Sequence, residues 1–186
     1  MFFINRVPKQ PSSQLPSRVI QAIAAGDYAT ACDALQAMSC TPKQRDVLGV
    51  CFIRAGRFQS AVELYKSMCL LHNTTMLRPG IEDSVKINYA TAVLLAGRPS
   101  GALEILADVV NHSNDEELVL RTAIKEWERS LSFWQRLDWR LNRIQPPNTC
   151  VTINGTLGML PSGLLESASS SRPESDAEQT PPPIAA

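Results

Sequence analysis

The sequence predicts an all-α chain: a short solenoid of stacked helical hairpins, a long C-terminal capping helix, and a disordered tail. Three observations carry this. A pattern of apolar helix, Ala-Gly plus a polar or basic residue, then a second helix recurs around Gly26, Gly56 and Gly97. An apolar stripe at three-four spacing runs from Asp115 to about Ile144 without that punctuation. From Glu166 onward, "ESASSSRPESDAEQTPPPIAA" is too poor in hydrophobes to offset the entropy of ordering.

Composition agrees with one domain. Of 186 residues, 44% are hydrophobic and 19% charged, which suits an α-rich or mixed globular unit. A formal net charge of zero leaves no electrostatic footprint for nucleic acid or an acidic membrane surface. Five cysteines form neither a C-x-x-C pair nor a cluster of zinc spacing. Cys32, Cys51 and Cys69 fall inside helical patterns, where a free thiol serves as a small buried hydrophobe in a reducing compartment. The opening "MFFINRVPKQPSSQLP" lacks the charged and long apolar regions of a secretory signal. No run reaches the ~20 apolar residues of a spanning helix. The expectation is a soluble cytoplasmic protein with no membrane insertion.

After an extension over residues 1–13, three hairpins occupy about 14–41, 42–75 and 83–114. Aligning their glycines brings Ala31, Ala61 and Ala102 into register, then Leu35, Tyr65 and Leu106. Glycine supplies the left-handed conformation that ends the first helix. Alanine permits close helix crossing, and the larger residue lies on the same face four positions on. Such a pair cannot bury both faces alone and stacks on a copy of itself. Gly26 to Gly56 is 30 residues and Gly56 to Gly97 is 41. The excess lies at "NTTMLRPGIEDS", which reads as a contact loop or a tolerated surface insertion.

These hairpins resemble the tetratricopeptide repeat. The middle copy places Leu48-Gly49, Phe52, Gly56, Phe58, Ala61 and Tyr65 at the family's signature positions. Arg45 stands where the family often has tryptophan, and Asn73 where it often has proline. The third copy offers Tyr89-Ala90, Val93, Gly97, Ala102 and Leu106, with Pro99 replacing an aromatic. The first is weaker: Val19, Ala22, Gly26, Tyr28, Ala31 and Leu35. The resemblance covers about residues 14–114 and implies a right-handed solenoid whose first helices line a concave groove for a peptide or helix. It assigns to that groove Ile20, Ile23 and Ala24, then Asp46, Val50, Ile53 and Arg54, then Ile87, Thr91, Leu94 and Leu95. The family's clamp for acidic tails needs a lysine, asparagine and arginine set. Pro16, Ile20, Val47, Ser84 and Asn88 stand there, which implies no carboxylate clamp.

Over 115–145, Leu120, Ile124, Trp127, Leu131 and Trp134 share one face. Two roles stand open for it: a cap on the solenoid end, or a homodimer seam. Trp139 lies off the stripe and is expected to be exposed. Pro146-Pro147 ends the helix, and 146–165 reads as an apolar linker or a hairpin turning at Asn154-Gly155. An apolar groove rarely stays bare. It is covered either by the chain's own residues (1–4 or 150–165) or by another protein's apolar peptide or amphipathic helix.

Catalytic signatures are missing. His72 and His112 sit near helix ends, and no H-E-x-x-H, G-x-S-x-G, P-loop or G-x-G-x-x-G occurs. No catalytic, metal or cofactor site is expected. The favoured function is a non-enzymatic protein-interaction module with no nucleic-acid partner. The alternative is a self-associating structural protein using the Trp127/Trp134 helix or a solenoid end.

Overall fold

A computed structural model describes residues 15–161 except 113, 148, 154 and 156. The N-terminal extension and the tail from 162, including the expected disorder and the 1–4 groove cover, lie outside the described residues. The described chain is all-helical, with eight helices: α1 Ser17–Ala24, α2 Tyr28–Gln36, α3 Pro42–Arg54, α4 Phe58–Cys69, α5 Asp83–Leu95, α6 Pro99–Ala107, α7 Asp115–Ser130 and α8 Phe133–Asn142.

The hairpins α1/α2, α3/α4 and α5/α6 pack helix on helix in chain order, and α5 also touches α3 and α7. This is a repeat-like arrangement, and its turns are copies of one another. Gly26, Gly56 and Gly97 have φ of 75°, 74° and 78°. Each glycine N–H donates three residues back, to Ile23 O, Ile53 O and Leu94 O. The following N–H donates five back, from Asp27 to Ala22 O, Arg57 to Phe52 O and Arg98 to Val93 O. That pair of bonds is the Schellman motif, which satisfies the last carbonyls of a helix and turns the chain. Ala31, Ala61 and Ala102 are fully buried in register, as are Leu35, Tyr65 and Leu106.

Within the hairpins, two starts are capped by side chains. Thr41 and Gln44 form a capping box on α3, with Pro42 in its first turn. Asp27 accepts from the Thr30 amide at the start of α2. Between α4 and α5 the inserted stretch carries a single bridge pairing Leu70 with Leu77.

The capping region departs from expectation. The single helix read over 115–145 is two helices, broken at Leu131-Ser132. Ser132 and Gln135 make a second capping box that starts α8 afresh. The Arg136 guanidinium reaches back to the carbonyls of Glu128, Arg129 and Leu131 at the end of α7. The change of axis rotates the tryptophans. Trp139, expected outside, is fully buried, with its ring edge-on to Trp127 at 4.9 Å between centroids. Leu120, Ile124, Trp127 and Leu131 are buried, but Trp134 is 74% exposed, so the five do not form one face. Among the described residues beyond α8 there is no strand, so of the two readings of this stretch those residues follow the linker.

Candidate functional site: the groove and the segment lying in it

The first helices of the hairpins align polar groups among apolar ones. On α3, Asp46, Val50 and Arg54 stand four residues apart and share a face. On α5, Asn88 and Thr91, three residues apart, also share a face. Asn88 is fully buried in the run Ile87-Asn88-Tyr89-Ala90, where an unpaired amide would be costly. Its partner is the chain's own C-terminal segment.

Residues 157–161 cross the faces of α3 and α5. The Met159 N–H donates to Asn88 Oδ1 at 2.7 Å, and Asn88 Nδ2 donates to the Met159 carbonyl at 3.0 Å. One side-chain amide thus satisfies both backbone groups of one residue, as a neighbouring strand would. Arg54 holds the two residues before it. Its Nε donates to Leu157 O and its Nη2 to Gly158 O, each at 2.9 Å. The third guanidinium nitrogen, Nη1, donates to Tyr28 Oη at 3.1 Å, tying the grip to the first hairpin.

Between these anchors the chain comes close to α3. A Cβ on Gly158 would lie 3.1 Å from Val50 Cγ1, and Gly158 has φ +78°. Only glycine meets both conditions without strain. Ile153, Leu157, Met159 and Leu160 pack on the core, and Val151 is buried.

Behind Asn88 lies a buried network. Asp46 Oδ1 accepts from Asn88 Nδ2 at 3.0 Å and from Tyr65 Oη at 2.9 Å. Burial raises the Asp46 carboxyl above its ordinary value, against the lowering pull of the Asn88 and Tyr65 hydrogen bonds. Burial and then the neighbouring Asp46 push the Tyr65 hydroxyl well up. Glu116, beside the segment, is raised by burial while Arg54 pulls the other way.

Two clefts flank the segment. One, of about 140 Å³, lies beside Thr91, Glu116, Val119 and Leu157. The other, of about 890 Å³, opens beside Pro161 between the N-terminal ends of α3 and α5, with Arg45, Asp46, Arg78 and Val85 in its walls. Among the described residues no group of three or more His, Cys, Asp or Glu side chains is placed to hold a metal. No described helix is long and apolar enough to cross a membrane.

The groove residues assigned by resemblance divide. Val50, Arg54 and Thr91 lie against or beside the segment, and Asp46 supports it through Asn88. Ile23, Ile53, Ile87 and Leu94 are buried in the core cluster. Ile20 and Leu95 are half-buried, and Ala24 is exposed. Sequence reasoning passed over Asn88 as a contact, noting it only as the wrong residue for a clamp. The available signal was a lone amide inside an apolar helix run. Gly158 carried no signal of its own. The chain matches no protein-family model, no curated protein and no solved structure.

Proposed function

We propose that this chain is a non-enzymatic, tetratricopeptide-like binding module whose groove holds an extended apolar peptide by its backbone. Residues 157–161 are the occupant held in cis. The observation that carries the reading is the two-point pairing of the Asn88 amide with Met159. Asn88 and Arg54 recognise main-chain groups, so they grip an extended segment without dictating most of its side chains. Selectivity comes from Val50, which demands glycine at one position, and from the apolar surroundings of its neighbours.

Gly158→Val in the full chain tests this. A β-branched residue at a positive φ, with its Cβ against Val50, ejects the segment and vacates the groove. A labelled peptide of residues 150–165 should bind this variant about tenfold or more tighter than wild type, because the competitor in cis is gone. Adding Asn88→Ala should weaken that binding about 30-fold, the loss of two neutral hydrogen bonds. Equal binding by all three folded proteins, or none by any, sinks the proposal.

A further inference from the structure

A second surface, independent of the groove, lies on α8. This helix buries one residue, Trp139. Its opposite side carries Phe133 at 71% exposure, Trp134 at 74%, Leu137 at 39% and Leu141 at 73%, with Ile144 at 55% just past its end. The four helical residues fall within an arc of roughly 100° at 3.6 residues per turn. Five large apolar side chains in twelve residues make roughly 600 Å² of exposed apolar surface, the upper end for a free monomer.

The margins say what covers it. Arg136 is spent on the end of α7, and Arg140 Nε bonds Glu128 Oε1 at 2.5 Å. Arg143 stacks over Trp139 at 5.5 Å. With its arginines engaged inside the chain, the face does not select an anionic surface. It suits an apolar, uncharged face of similar shape, and α8 is itself one. Antiparallel apposition about Leu137 sets Phe133 of one copy against Leu141 of the other, twice, by symmetry, with Trp134 flanking each pair. Two such patches bury about 1,200 Å² in total, the lower edge of stable specific interfaces. The chain has no net charge to oppose association.

We infer that the exposed face of α8 is the contact of a two-fold homodimer. Light scattering and sedimentation equilibrium on the full chain across the micromolar range test it. Wild type should approach twice the 20.4 kDa chain mass as concentration rises. Trp134→Glu and Leu141→Glu should stay at one chain mass with unchanged helix content. Val110→Glu, on another exposed residue, should dimerise as wild type does. Wild type that stays monomeric throughout overturns the inference, as does a dimer that survives Trp134→Glu. A monomer that sediments with phosphatidylserine vesicles through Trp134 overturns it too, and assigns the face to lipid.

Discussion

Removing the Asn88 side chain separates a groove contact from a core strut. In Asn88→Ala, Met159 loses both backbone bonds, and each neutral bond is worth about 1 kcal/mol net. The segment's local opening should therefore become about 2 kcal/mol easier, which at 1.4 kcal/mol per tenfold is about 30-fold faster exchange at the Met159 amide. Asp46 also loses a donor. Bonds to charged groups are worth about 1.5–3 kcal/mol, and that loss falls on the α3/α5 core and on global stability. Amide hydrogen exchange resolved along the chain, with a urea titration beside it, reads both effects. Acceleration at 157–160 beyond that at Val50 and Ala90 is the expected result. If exchange at Met159 changes by less than about threefold, the amide does not hold the segment. If every amide accelerates equally, Asn88 serves the core alone.

Two other perturbations probe the scaffold. Gly49→Ala would put a Cβ 2.5 Å from Tyr65 Oη, whose ring is fully buried, and should cost about 1–3 kcal/mol in urea unfolding. A neutral result there would show that α3 and α4 are not closely apposed at this crossing. Asp46→Asn concerns pH. The folded fold favours the protonated acid, because burial raises the Asp46 carboxyl above 3.8. Its contribution is therefore full below that value and lost as pH rises through the raised folded value. The variant keeps an oxygen for Asn88 and Tyr65, so it should be no less stable at pH 7 and show a flatter stability slope just above pH 3.8. A steeper slope would contradict the sign of this shift.

Much of the scaffold was legible because its signals are local. Gly26, Gly56 and Gly97 announce three identical Schellman turns, and the alanine five residues beyond each marks a crossing. The break before α8 was also written locally, as Ser132 and Gln135 at capping-box spacing. It was masked because Trp127, Leu131 and Trp134 continue the three-four rhythm straight across it. Periodicity reports which residues could share a face, and a change of axis alters which ones do; Trp134 and Trp139 accordingly exchanged places. The segment's path was harder still. Asn88 and Met159 are 71 residues apart, and nothing in either neighbourhood names the other. Arg54 could be placed by its position on the helix, but its acceptors are backbone carbonyls, which any residue possesses.

If the groove binds peptides as proposed, tethering has a consequence for any peptide arriving from outside. The groove's occupant belongs to the same chain as the groove and so competes at a fixed local concentration, of millimolar order for a short tether. Dilution cannot remove it. If it fills the groove 99 times in a hundred, an outside peptide sees its apparent affinity weakened about a hundredfold. Weak and abundant apolar chains would then be turned away, while a ligand that matches the glycine position and offers further contacts in the cleft beside Pro161 would still gain entry. Substitutions in 157–161 would move that threshold without altering a single residue of the helical scaffold.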